Sequence, residues 1–239
     1  NAMRWTIEAG LQTGIQLVLG MPGESTKTVR ETIEYTKFCV TVSDKFDPNN
    51  LSINYAQALP GTALYEYGRS KGIIGRDIDG EEKYLLSISD RNAHDETTTL
   101  NFTEYPTLIH KTWRPLITIE TNYHYVKTFG LQHYLQKLPA SHALMYEASG
   151  YFANPRRLME KGVGNEGEQK VDKKIRPPSL LKYILQGRFG AAMVWYPILF
   201  YRLRYFLTLM VLIKTIKEEG WTKAGSLLFE YLRFYFKKF

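Results

Sequence analysis

Residues 14–25 read Gly14-Ile15-Gln16-Leu17-Val18-Leu19-Gly20-Met21-Pro22-Gly23-Glu24-Ser25. The mostly apolar run Ile15 to Leu19, bounded by glycines, predicts a short strand covered on both faces, the kind found in parallel sheets. A tight Gly-Met-Pro-Gly turn follows, and Ser25 is a good N-cap for the next helix. In parallel α/β folds the turn after a strand lies at the ligand-binding end. This turn is therefore the first candidate for a functional site.

Working outward, residues Arg4 to Gln12 read as the tail of a helix with Trp5, Ala9 and Leu11 inward. The helix after Ser25 is expected to reach about Val42, because Val29, Ile33, Thr36 and Val40 recur at helical spacing. Cys39 lies on it as a small core residue. A loop over Asp44 to Asn50 leads to a second strand, Leu51 to Ala58, and the turn Leu59-Pro60-Gly61-Thr62. An amphipathic helix with Leu64, Tyr65 and Tyr67 then ends at Lys71-Gly72, where glycine suits a left-handed cap. The order helix, strand, helix, strand, helix implies parallel strands joined right-handedly.

Further on the pattern is weaker. An acidic excursion from Ile73 to Glu96 holds one short helix near Glu81 to Ser87, and Leu100-Asn101-Phe102 reads as extended. A long helix is expected from about Thr107 to Leu138, kinked or interrupted at Pro115. Residues 162–176 are glycine-rich, charged and without apolar period, which predicts a linker or disordered loop. Pro177-Pro178-Ser179 starts a helix, Phe189 to Ile213 is the most apolar stretch, and a last helix is expected from about Thr222 to Phe239. The charge-free runs Phe189 to Tyr201 and Tyr205 to Ile213 are shorter than the roughly 20 residues a spanning helix needs.

The 239 residues allow one or two domains. Asn1-Ala2 ahead of Met3 resembles an expression-tag remnant, and the immediate run into a strand leads to the expectation that the chain is cut from a longer protein. A single cysteine excludes an internal disulfide and cannot alone hold zinc or an iron–sulfur cluster; it fits a reducing, cytoplasmic setting. Charge is uneven. Up to Ser149 there are 14 Lys and Arg against 17 Asp and Glu, a net of −3, and from Gly150 onward 17 against 7, a net of +10. Such a split suggests two bodies with different partners, the basic one facing an anionic surface.

Two phrases carry a resemblance: the stretch at 14–25, and Ile53-Asn54-Tyr55-Ala56-Gln57-Ala58-Leu59-Pro60-Gly61-Thr62-Ala63-Leu64-Tyr65 with the helix closing in Gly72-Ile73-Ile74. In this order and spacing they resemble the fifth and sixth βα units of radical S-adenosylmethionine enzymes, specifically the class with a cobalamin-binding domain ahead of the barrel. Within it they are similar to proteins called anaerobic magnesium-protoporphyrin IX monomethyl ester oxidative cyclases. The resemblance covers about residues 4–75. It implies an α/β fold made of the last two βα units of a partial (β/α)6 barrel, followed by a mainly helical C-terminal region. The corresponding division is 1–2 tag, 3–75 barrel units, 76–161 helical extension, 162–176 linker and 177–239 basic aromatic helices.

By the same resemblance, Leu19, Gly20 and Met21 would line one side of an S-adenosylmethionine site, and Ala56 to Leu59 the other, with Ala56 and Leu59 foremost. The full-length enzyme would carry a [4Fe-4S] cluster, S-adenosylmethionine and in some members cobalamin. It would cleave S-adenosylmethionine reductively for a radical cyclisation or methylation of a tetrapyrrole or lipid-like substrate. The Cys-x3-Cys-x2-Cys cluster loop of the family is absent from these residues. The chain alone is therefore expected to hold no cofactor, no metal and no catalytic residue, its first partner being the remainder of the same protein. Bare parallel strands would be stabilised by pairing with another copy or by repacking on the C-terminal helices.

Other readings stay open beside this. Glu24 fits a carboxylate bonding the amides of its own turn. His94, with Asp95 and Glu96, forms a surface cluster, while His110, His124 and His133 fit helix packing, and no His pair has metal-ligand spacing. The basic aromatic C-terminal region fits internal packing first, then an anionic membrane surface, then nucleic acid. A non-catalytic helical docking or peripheral membrane-binding module is thus the alternative function.

Overall fold

The computed structural model describes residues 1–11, 13–89, 100–138, 179–185 and 189–236. It is a mixed α/β fold, mostly helical, with one small parallel sheet among the described residues. The elements are α1 (Ala2–Glu8), β1 (Ile15–Leu19), α2 (Thr26–Val40), β2 (Leu51–Tyr55), α3 (Ala63–Ser70), α4 (Ile78–Ser89), α5 (Thr107–Phe129), α6 (Leu131–Lys137), α7 (Leu180–Leu185), α8 (Phe189–Trp195), α9 (Pro197–Leu203), α10 (Leu207–Glu219) and α11 (Trp221–Phe236). A 3-10 turn, Arg204–Phe206, leads into α10.

The chain forms two compact units interleaved in sequence. One comprises Asn1–Gly14, Lys37–Asn50 and Thr118–Arg202, the other Ile15–Thr36, Leu51–Ile117 and Leu203–Phe239.

The second unit holds the sheet. β1 and β2 pair in parallel with Ile15 opposite Leu51 and Leu19 opposite Tyr55. Alternation along each strand sends Leu19, Ile53 and Tyr55 into a cluster with Val29 and Ile33 of α2 and Trp113 and Ile117 of α5. Among the described residues the other face of β1 is not covered. Gln16 and Val18 are exposed, so the strand is buried on one face only, contrary to the expectation from its apolar run. A two-stranded sheet can recruit helices to one side from its own neighbourhood, and the run of Leu and Val does not encode which side.

A second cluster gathers Ala56, Ala58, Tyr65, Ile74, Tyr84 and Phe102 around the segment beyond β2. β2 ends at Tyr55 rather than Ala58 because past Ala56, whose amide donates to the Leu19 carbonyl at 2.7 Å, β1 supplies no further partner. A third cluster, Leu108, Val211 and Leu227, joins the start of α5 to the α10–α11 hairpin.

Polar contacts hold the first unit together. The Asn122 amide donates to Asn49 Oδ1 at 2.8 Å, and the Tyr134 hydroxyl donates to the Val194 carbonyl at 2.6 Å. Tyr125 donates its hydroxyl to the Asp44 carbonyl, also at 2.6 Å. Asn50 donates to the Thr13 carbonyl at 2.8 Å, and Lys37 pairs with Glu120 at 3.0 Å. Burial pushes the Tyr134 and Tyr125 hydroxyls well above the ordinary tyrosine range, which keeps both protonated as donors.

Several local expectations hold in detail. Val29, Ile33, Thr36 and Val40 are all buried along α2, as is Cys39. Ser25 and Thr28 exchange side-chain-to-amide bonds at the start of α2, the reciprocal capping geometry. Gly72 takes a φ of +69° just beyond α3. Further expectations fail in whole or in part. α1 ends at Glu8 and buries Ile7, leaving Trp5, Ala9 and Leu11 exposed. Pro115 does not interrupt α5; the break falls at Gly130, with φ +91°. A proline removes one amide donor from a 23-residue helix, whereas a left-handed glycine redirects the backbone. The expected linker at 162–176, and His94 with Asp95 and Glu96, lie outside the described residues.

Candidate functional site at the strand ends

Parallel pairing brings the carboxyl ends of β1 and β2 side by side, and each runs into a glycine turn. After β1, Gly20 is buried with φ +89°, and Gly23 follows at +81°. The Glu24 carboxylate folds back to accept the Gly20 amide, and the Glu24 amide donates to the Met21 carbonyl at 3.1 Å. Burial raises the Glu24 carboxyl above its ordinary range, and the bonds from the Gly20 and Met21 amides only partly offset this. Glu24 is thus a brace of the turn, as its place beside a helix N-terminus suggests.

The turn is roofed by a residue from far along the chain. His110, at the end of the first turn of α5, is 1 % exposed, and a Cβ placed on Gly20 would stand 2.7 Å from its Nε2. Its ring meets Tyr55 edge-on at 5.0 Å and Trp113 at 5.4 Å. Trp113 in turn meets Tyr105, which contacts Phe234 of α11 at 5.8 Å. An aromatic file therefore runs from the last residue of β2 to the C-terminal helix.

After β2, buried Ala58 is held by Tyr84 of α4. The Tyr84 hydroxyl accepts from the Ala58 amide at 3.1 Å and donates to its carbonyl at 2.8 Å. Burial again raises this hydroxyl above the ordinary tyrosine range. Gly61 turns the chain at φ +81°, and Thr62 caps α3 by accepting from the Tyr65 amide at 3.2 Å.

The five residues singled out from sequence divide by environment. Leu19 and Ala56 are brought together and buried, joined through the Leu19 carbonyl. Gly20 lies beneath His110, while Met21 and Leu59 are exposed, at 44 % and 52 %. Leu19 directs its side chain into the cluster with α2, so at a ligand site it would contribute backbone. Met21 and Leu59 are the side chains of this set open to a flat apolar ligand. No family model, curated protein or solved structure matches this chain.

His110 and Tyr84 are the residues that sequence reasoning did not connect to this site. Gly20 carried part of the signal, since a buried left-handed glycine marks a close approach. Nothing local indicated which residue approaches. Among the described residues no group of His, Cys, Asp and Glu is arranged to hold a metal ion, and no single helix is long and apolar enough to cross a membrane.

Proposed function

We propose that this chain carries the last two βα units of a radical S-adenosylmethionine barrel of the cobalamin-associated class, with the helical region that follows them. The observation that carries the reading is the parallel register of Ile15–Leu19 on Leu51–Tyr55, joined through one helix, with a Pro-Gly turn beyond the carboxyl end of each strand. Both turns combine glycine freedom with residue types that the resemblance assigns to one wall of the cofactor site. In that wall Met21 and Leu59 would pack against the adenine, and the backbone at Leu19, Gly20 and Ala56 would set its depth. S-Adenosylmethionine supplies the radical chemistry when bound, and these residues only position it. The iron–sulfur cluster does not fit the residues present, because the one cysteine is buried on α2. It belongs to the preceding barrel units in this reading, as does most of the contact with a tetrapyrrole or lipid-like substrate.

The test is the coding sequence ahead of Met3, together with the protein it encodes. A Cys-x3-Cys-x2-Cys loop, iron and sulfide in the anaerobically purified whole protein, and 5′-deoxyadenosine released on reduction are the expected results. A complete reading frame without the three-cysteine loop overturns the proposal.

A further inference from the structure

α11 is apolar around more of its circumference than the fold covers. Ala224, Leu227, Tyr231 and Phe234, at three- and four-residue spacing, face the second unit, with Ala224 and Leu227 buried. Beside them runs a second stripe of Trp221, Leu228, Leu232 and Tyr235, widened by Phe229 and Phe236. All six are exposed, Trp221 at 78 % and Phe236 at 75 %. Tyr205, Phe206 and Leu209, around the start of α10, add further exposed apolar surface on the same hairpin. Scattered surface hydrophobics need no explanation, but a stripe this long rimmed by polar residues marks an interaction face.

Charge identifies the partner. Residues 202–238 hold eight Lys and Arg against three Asp and Glu, a net of +5. The three acids are engaged within the unit: Glu219 with Lys111 at 2.8 Å, Glu230 with the Thr107 amide at 3.0 Å, and Glu218 with Lys214 at 3.9 Å. The polar arc of α11, Thr222, Lys223, Ser226, Glu230 and Arg233, leaves Lys223 and Arg233 exposed, and the sequence continues into Lys237-Lys238. A helix with Trp, Phe and Leu on one face and Lys and Arg on its polar arc, Arg233 next to Phe229 and Phe236 and Lys223 on the far side, has the composition that lies in the plane of an anionic bilayer surface. Aromatic side chains are also the ones that favour the headgroup level.

We infer that the α10–α11 hairpin docks on an anionic lipid surface through the exposed stripe of α11, with its basic residues against the headgroups. This inference does not depend on the radical-enzyme reading.

Flotation of the whole chain with phosphatidylcholine vesicles, and with vesicles also containing phosphatidylserine, tests it. The expected result is co-flotation with the anionic vesicles at low salt, weakened at high salt, and little with the neutral ones. Arg233→Gln, next to the stripe, should lower partitioning about fivefold and Lys223→Gln, on the far side, by less, and Trp221→Ala with Phe229→Ala about tenfold or more. These side chains are exposed, so circular dichroism and the melting transition should be unchanged, which separates lost binding from lost folding. No flotation at low salt, equal flotation on both vesicle types, or indifference to both sets of variants overturns the inference. So does a dimer abolished by Trp221→Ala and Phe229→Ala, or oligonucleotide binding, where vesicles are not bound.

Discussion

Gly20 and Gly61 turn the chain after the two parallel strands with nearly equal φ, +89° and +81°, yet a methyl group at Gly20 would meet His110 Nε2 at 2.7 Å whereas at Gly61 it would meet open space. The turn after β1 is closed on three sides: the Glu24 carboxylate on the Gly20 amide, the His110 ring over the Cα, and the strand partner behind. Beyond β2 the chain is anchored at Ala58 by one tyrosine hydroxyl and then emerges into solvent at Leu59 through Thr62. Like residues in like turns thus serve unlike purposes. One turn is an enclosed wall, and the other is an exposed connection between a fixed point and a capped helix.

The difference makes quantitative claims. Gly20→Ala should have the largest effect, about 2–5 kcal/mol, summing left-handed strain and overpacking against His110. Urea unfolding measures it, and adding His110→Ala to Gly20→Ala should restore the overpacking part. If Gly20→Ala costs no more than Gly61→Ala, the contrast between the turns is broken.

Glu24→Ala should come next, at about 1–3 kcal/mol for a buried amide left without its acceptor. Glu24→Gln, which can still accept that bond, should cost less and remove a pH dependence. The folded-state value of Glu24 is raised, so in the window above the ordinary carboxylate range the folded chain holds a proton that the unfolded chain has released. Its contribution is therefore fully present below the unfolded value, at about pH 4, and declines as pH rises through the folded one. Thermal melts from acid to neutral pH should show this slope flattened in Glu24→Gln; an unchanged slope would assign the dependence elsewhere.

Tyr84→Phe removes both bonds to Ala58 and should cost about 1–2 kcal/mol. The smallest effect belongs to Gly61→Ala, about 1 kcal/mol of left-handed strain with no clash. A Gly61→Ala cost well above this would mean that the second turn, too, is enclosed.

Legibility in the sequence followed the range of the interactions. The inward face of α2, the Ser25 cap and the left-handed Gly72 were readable because each depends on residues within a turn or two. The exposed face of β1 was not, because Val18 looks the same whether or not a helix covers it, and it is 57 % exposed. Trp5 and Leu11 misled for the same reason, since apolar identity does not say which side of a two-turn helix, or of the residues just past it, finds a neighbour. Pro115 is a louder signal than Gly130, yet the glycine carries the break. At the strand ends Leu19, Gly20 and Ala56 could be grouped from two short phrases. His110 and Tyr84 reach them from α5 and α4, and such contacts leave no periodic trace in the chain.

Cys39 is 3 % exposed on α2 and is the chain's one thiol. A disulfide reagent reacts with thiolate and needs access to the sulfur, so modification waits for the helix to open. The molecule thus contains its own reporter of opening, with no second thiol to confuse the signal. The rate at which an aromatic disulfide is consumed under native conditions counts how often this segment exposes its interior. Denaturant dependence of that rate separates local fraying from cooperative unfolding.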